Sequence, residues 1–315
     1  MTQLTSGTDH RLPFILDEVE VVRTERLSPS FVRVELGSPA LADLGVDGPF
    51  WDQRFKLVFP GSSGRLPSFA GADESWYATW LDIPEDERGH MRTYTVRDVL
   101  GSGADTRLVV DLVLHLEDGA TGPGSRWAAA ARPGDRVVVV APRRGAPFGG
   151  IEFTPGHAQR LLLVGDETAV PAVSAILEHL PPSARGTAFL EVPATGDVLD
   201  LDAPVGVEVV WLPRDGAPLG ERLHAAVVAH LGAPAGRPEV VAEEVDPNLW
   251  ETPTYSSSGE QVGDAPAPHG DLYAWIAGES GVVTGLRRHL VRGLGIDRRQ
   301  VAFMGYWRHG VAMRS

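Results

Sequence analysis

The chain of 315 residues contains no cysteine. That absence removes disulfides, thiolate nucleophiles, thiolate zinc sites and cysteine-ligated iron–sulfur clusters together. Any redox chemistry must therefore belong to a bound cofactor. Lysine is almost as scarce, since 27 of the 28 basic residues are arginine and the remaining one is Lys56. Positive charge is short overall: 42 acidic residues leave a formal net charge of -14. A general nucleic-acid or anionic-membrane surface is excluded on that balance, although a local basic pocket is not. No stretch approaches 18 apolar residues, and Met1 to Asp17 holds no basic region leading into an apolar run. A cytoplasmic protein without membrane insertion is expected. No metal site is expected either, because His10, His157, His179 and His269 lack His/Asp/Glu partners at ligand spacing. A Gly-x-Ser-x-Gly nucleophile elbow is also missing.

What is present suffices for two ordinary cores, with 43% apolar residues and frequent Gly and Pro, 36 and 25 in number. From Val19 to about Ala141 the chain reads as short strands between turn residues. Val32, Val34 and Leu36 share one strand face, and Phe55, Leu57 and Phe59 another, which turns Lys56 to the opposite side. In 108–116, Val110, Leu112, Leu114 and Leu116 alternate with a face that carries Asp111 and His115. Several such strands predict an antiparallel β-barrel over 13–153. Gly149-Gly150 and Thr154-Pro155-Gly156 suggest a linker. Beyond it, over 157–315, strands at 161–164, 187–192, 207–212, 272–277 and 301–304 alternate with helices at 169–180, 221–231 and 282–294. That rhythm predicts an α/β domain whose parallel sheet is covered on both faces, with ligands at the carboxyl ends of its strands. The Pro-, Gly- and Ser-rich segment 233–270 interrupts it yet carries Trp250 and Tyr255, so packing over a neighbour and disorder both stay open.

Two strings in the barrel half carry chemistry. Arg92-Thr93-Tyr94-Thr95-Val96-Arg97 offers an arginine fork for pyrophosphate, a ring for a flavin face and a hydroxyl for its edge; the bland alternative is a polar barrel strand. Gly122-Pro123-Gly124-Ser125-Arg126-Trp127 reads as a Gly-rich turn opening a helix, with Ser125 as its cap and free N–H groups for a phosphate. In the second half, Gly165-Asp166-Glu167-Thr168 lies where a strand meets its helix, with Thr168 placed to cap it. Glu191 would suit a free ribose hydroxyl, whereas Arg214 could hold a 2′-phosphate, so NADH and NADPH both stay open.

Together with Gly165-Asp166-Glu167-Thr168-Ala169-Val170-Pro171-Ala172, Tyr273-Ala274-Trp275-Ile276-Ala277-Gly278-Glu279-Ser280 and Gly305-Tyr306-Trp307-Arg308, these strings resemble the siderophore-interacting protein family, flavin-dependent ferric-siderophore reductases related to ferredoxin–NADP reductases. The resemblance runs in order from about residue 15 to 310. It implies FAD in the barrel and NADH or NADPH in the α/β domain, with hydride passing to FAD and single electrons to the iron of a ferric siderophore, which releases Fe(II). Carried over by position, Arg92, Thr93, Tyr94, Thr95, Asp111, His115, Gly124, Ser125 and Trp127 would line the FAD. Asp166, Glu167, Thr168, Gly278, Glu279, Ser280, Tyr306 and Trp307 would line the nicotinamide nucleotide. No general acid or base is implied. Ala277-Gly278-Glu279 stands where related reductases often carry a cysteine. Lys56, Arg144 and Arg308 would form a basic patch for an anionic ferric siderophore, with Arg143 an equal substitute for Arg144. Two rival readings are a flavin reductase serving a ferredoxin or oxygenase and a siderophore-binding protein without turnover. The sequence does not address oligomeric state.

Overall fold

The computed structural model describes residues 12–115, 121–232, 250–252, 255–256 and 271–310. Seven strands occupy the N-terminal half: β1 (Phe14–Arg26), β2 (Phe31–Gly37), β3 (Arg54–Phe59), β4 (His90–Thr95), β5 (Asp98–Leu100), β6 (Arg107–Val113) and β7 (Arg136–Pro142). They form one antiparallel sheet in the order β4-β3-β7-β1-β2-β6-β5. The chain passes from one edge, β4, to the other, β5, through Val96 and Arg97, whose N–H groups extend the neighbouring ladders by donating to Gln53 O at 2.8 Å and Val109 O at 3.0 Å. The sheet is thereby curled until its edges meet at one corner, giving a half-barrel. The apolar alternation fills its interior: Val32, Val34, Leu36, Phe55, Leu57, Phe59, Val110, Leu112 and Leu114 share one buried cluster. Each such side chain contributes roughly 1.5–3 kcal/mol. Helix α1 (Trp76–Asp82) covers part of the outside, where buried Trp80 packs with Val58, Met91 and Val138. Helix α2 (Pro123–Ala130) packs on the inner side through Ala128 and Trp127.

In the C-terminal half, β8 (Arg160–Gly165), β9 (Gly186–Val192), β10 (Val207–Pro213), β13 (Leu272–Glu279) and β14 (Val301–Trp307) are parallel, in the order β10-β9-β8-β13-β14. Leu161 and Leu163 of β8 face α3 (Val170–His179), while Leu162 and Val164 face α4 (Glu221–His230) and α5 (Ser280–Arg287). A strand buried on both faces needs apolar residues at every position, hence the unbroken Leu161 to Val164 run.

Three expectations need correction. The sheet is not wholly parallel, because β11 (Trp250–Thr252) adds antiparallel to β14 and β12 (Tyr255–Ser256) pairs antiparallel with β11. The strand expected over 108–116 ends at Val113, so His115 lies beyond it; Leu114 still packs inward. The helix expected over 282–294 begins at Ser280, because Glu279 caps it by accepting from the N–H groups of Gly281 and Val282, and becomes a wider π-type turn from Arg288. The connection after Gly149 is held by hydrogen bonds to both halves. Asp52, fully buried, accepts from the N–H groups of Glu152 and Phe153 and from Trp275 Nε1 of β13, and Tyr273 Oη donates to Glu152 O and accepts from Thr154 N–H. Residues 1–11 with His10, Leu116, and 233–249 and 257–270 with His269 lie outside the described residues.

The two halves meet over a specific seam. Phe31 points away from the barrel core and into the cluster beneath α3. Buried Asp197 accepts from Ser28 Oγ, Ser30 N–H and Ser30 Oγ. Arg97 bridges Glu178 of α3 and Asp111 of β6.

Candidate cofactor and substrate site

Strand β4 is a sheet edge, and period two divides its side chains. Arg92 and Tyr94 share the inner face, opposite Leu57 and Phe55, whereas Thr93 and Thr95 share the outer face, opposite Lys56 and Arg54. Tyr94 stands edge-on to Phe59 at 5.9 Å and tilted to Phe55 at 6.5 Å, and burial raises its pKa. Its hydroxyl lies over Gly124: a Cβ there would sit 2.1 Å from Tyr94 Oη. Glycine is thus the residue that lets α2 approach the ring. The helix start lies beside Tyr94, with Arg92 on the same strand face.

Ser125 does not cap α2. The N-cap is Gly122, and the Ser125 hydroxyl instead donates to Val113 O at 3.0 Å and accepts from His115 N–H at 3.3 Å. It therefore ties the helix start to the end of β6. Trp127 packs on Phe59 at 5.1 Å and anchors the helix. Asp111 and His115 are not brought together: Asp111 lies outside the barrel, where Arg33 grips both its oxygens at 2.7 Å, while the His115 ring meets Trp307 of β14 at 4.9 Å.

At the carboxyl ends of the parallel strands, Asp166 is a hub. Its Oδ1 accepts from Thr168 N–H and Oγ1 at 2.9 and 2.6 Å, and its Oδ2 from Glu279 N–H and Trp307 Nε1 at 2.7 and 2.8 Å. Burial, assisted by neighbouring Glu167, pushes its pKa up to about 7 against those hydrogen bonds. Gly278 adopts φ 145°, and a Cβ there would lie 2.6 Å from Asp166 Oδ2, so Gly278 serves the carboxylate. Thr168 consequently does not cap α3, whose N-cap is Ala169; its hydroxyl is turned back to Asp166. Ser280 Oγ donates to Trp307 O, and Glu279 Oε1 accepts from His309 N–H, fixing the tail of β14 against α5. Glu167 and Glu191 are both buried and both bonded to Arg214.

The cations divide differently. Lys56 is exposed and donates to Thr93 Oγ1 at 3.0 Å; partial desolvation and nearby Arg54 lower its pKa. Arg144 is exposed with Nη2 on Leu44 O, whereas Arg143 pairs with Asp43 and two backbone carbonyls. Arg144, not Arg143, therefore presents the more open guanidinium. Arg308 follows Trp307 and is half-buried. Sequence reasoning missed Arg54, which shares the outer face of β3 with Lys56. Its guanidinium lies 4.1 Å over the Trp250 ring, and Trp250 stacks on Tyr306 at 6.0 Å and 18°. The spacing of two from Lys56 was the available signal. Segment 233–270 thus packs over its neighbours at least through Trp250.

A half-barrel with an edge-strand cradle, followed by a doubly covered, mostly parallel sheet whose carboxyl ends face the seam, defines a two-domain protein of the ferredoxin reductase-like fold. Residues 20–146 match the siderophore-interacting FAD-binding domain and residues 158–310 match the siderophore-interacting protein model. An uncharacterized protein of Mycobacterium tuberculosis is 34% identical over 300 residues, covering 94% of this chain and 91% of that one. Ferric vibriobactin reductase ViuB of Vibrio cholerae is 29% identical over 312 residues, covering 98% and 93%. A siderophore utilization protein from T. fusca, of known crystal structure, is 30% identical with a TM-score of 0.67, covering 96% and 95%. The chain belongs to the siderophore-interacting protein family. Among the described residues no helix is long and apolar enough to cross a membrane, and no group of three or more His, Cys, Asp or Glu is placed to hold a metal.

Proposed function

We propose that this protein is a cytoplasmic NAD(P)H-dependent ferric-siderophore reductase that uses FAD. The observation that carries the reading is the Tyr94–Gly124 cradle on an edge strand, whose helix start is tied through Ser125 and His115 to Trp307 at the end of β14. The residues present fit FAD. Arg92 would hold the pyrophosphate together with the N–H groups that open α2, Tyr94 would supply a ring for the isoalloxazine, and Thr95 at the strand end would meet its edge. FAD, when bound, accepts two electrons as hydride and returns them one at a time.

The chain's own residues position and select. Asp166 fixes Trp307 and the backbone of Glu279 at the ends of β8, β13 and β14, so the surface that receives the nicotinamide is rigid. Lys56 and Arg144, with Arg308 on the adjoining tail, supply local positive potential in a molecule of net charge -14. Iron enters as substrate inside its chelator. Asp111 drops out of the cofactor set, and Ser125 and Trp127 act through the placement of α2.

The test is the absorption spectrum of the purified protein under anaerobic conditions. Flavin bands that bleach with NADH or NADPH and return on adding a ferric siderophore, with Fe(II) trapped by a chromogenic chelator, are the expected result. Return only with ferredoxin would favour service to a protein acceptor. A protein that neither carries nor binds FAD would leave siderophore binding without turnover.

A further inference from the structure

Glu191 and Arg214 suit opposite donors, NADH and NADPH, and their arrangement in the fold separates the two. Glu167 follows β8, Glu191 lies near the end of β9 and Arg214 follows β10, so all three stand at the carboxyl ends of adjacent parallel strands. In dinucleotide folds this is where the adenosine ribose is read, by an acid for a free 2′-hydroxyl or by an arginine for a 2′-phosphate. Here the arginine is taken. Arg214 Nη1 and Nη2 donate to the two Glu167 oxygens at 2.7 and 2.9 Å, and Nη1 also reaches Glu191 Oε2 at 3.3 Å. A guanidinium that forks one carboxylate through both terminal nitrogens has its most directional donors already committed.

The nearest helix start is taken as well. Glu191 accepts from Gly220 N–H at 2.8 Å and Leu223 N–H at 3.2 Å, which fills the amide end of α4 with a carboxylate. Both acids are buried, with side-chain exposures of 1% and 0%, against 14% for Arg214. Two buried carboxylates on one arginine leave the cluster net negative. A 2′-phosphate would meet like charge and would have to break the Glu167 fork to gain a donor. A ribose hydroxyl brings no charge and leaves the fork intact.

We infer that the Glu167–Arg214–Glu191 cluster selects a nucleotide with a free 2′-hydroxyl, making NADH rather than NADPH the donor. The inference rests on the donor reading above. The two are separated by binding measurements on the FAD-loaded full chain with the probes 5′-AMP and adenosine 2′,5′-bisphosphate, using calorimetry. The expected result is that 5′-AMP binds tighter by about tenfold or more. Equal or tighter binding of the bisphosphate overturns the inference and leaves the donor reading standing. Binding of neither probe, with no bleaching of the flavin by either NADH or NADPH, overturns the donor reading and the inference with it.

Glu167→Gln removes one negative charge and loosens the fork. It is expected to move the ratio toward the bisphosphate by about fivefold. A folded variant with an unmoved ratio would refute the role of the pair. Should that variant not fold, Glu191→Gln serves, since it removes the same charge from the other carboxylate on Arg214. The same shift toward the bisphosphate is expected, and an unmoved ratio in a folded variant would refute the role of the cluster.

Discussion

Substitution of Gly124 by alanine tests the cradle with a single methyl group. The new Cβ would lie 2.1 Å from Tyr94 Oη, while its next contacts, Phe59 Cε2 at 3.4 Å and Tyr94 Cζ at 3.5 Å, are ordinary van der Waals distances. The conflict is therefore with one oxygen. Tyr94 cannot yield freely, since its ring is held between Phe55 and Phe59, both buried. Overpacking of this kind costs about 1–3 kcal/mol, and the gain in helix propensity on replacing glycine returns up to about 1 kcal/mol. Net destabilisation of about 0–3 kcal/mol is expected, up to several degrees in melting temperature at about 2–4 °C per kcal/mol. Flavin binding should suffer separately, because a displaced ring loses a stacking contribution of about 0.5–1.5 kcal/mol, or two- to tenfold in affinity. The assay is FAD affinity by fluorescence titration alongside thermal melts, for Gly124→Ala, Tyr94→Phe and the double variant. Tyr94→Phe keeps the ring and removes the oxygen, so the double variant should regain most of the lost affinity. If Gly124→Ala binds FAD like the parent and melts at the same temperature, the cradle is not where we place it. If the double variant is no better than Gly124→Ala, the hydroxyl is not the obstacle.

Three further outcomes are expected. Asp166, with its folded pKa raised to about 7 from an ordinary value near 3.8, binds more protons folded than unfolded between those values, so its contribution to stability should increase as pH falls from about 7 toward 4. Urea melts across that range should show this slope in the parent and a smaller one in Asp166→Asn; identical slopes would sink it. Asp197→Ala removes the acceptor for Ser28 Oγ and for the N–H and Oγ of Ser30, and should cost about 1–3 kcal/mol in chemical denaturation, an unchanged midpoint speaking against this staple. Lys56→Ala should raise KM for an anionic ferric siderophore more than for a neutral one, and equal effects would make Lys56 a bystander.

The strands were legible because burial is written in period. Phe55, Leu57 and Phe59 alternate since one face of β3 is core, and Leu161 to Val164 run together since both faces of β8 are covered. Helix caps were less legible, because a hydroxyl near a helix start has several acceptors within reach and only the assembled fold shows which wins. Thr168 found Asp166 and Ser125 found Val113 O, so neither caps. The site was partly legible: the alternation about Tyr94 separates Arg92 from Thr93, but that Gly124 exists to admit the Tyr94 hydroxyl depends on a contact 30 residues away. The seam was not legible at all. Asp52 to Trp275, Arg54 to Trp250 and Arg97 to Glu178 join residues whose spacing carries no period, and each of these charges would read alone as one on the surface.

The single lysine has a practical consequence. Lys56 stands exposed on the outer face of β3, paired with Thr93, within the same strand as the Arg54 that touches Trp250. As the only side-chain amine in a chain without thiols, it is a native attachment point for acylating probes, which need no engineered cysteine. A dye carried there reports from the outer face of β3, two residues from Arg54, and reductive methylation with carbon-13 formaldehyde and a borohydride would give a spectrum of few lines. Occupancy at the domain seam could then be followed by a label that evolution has already placed.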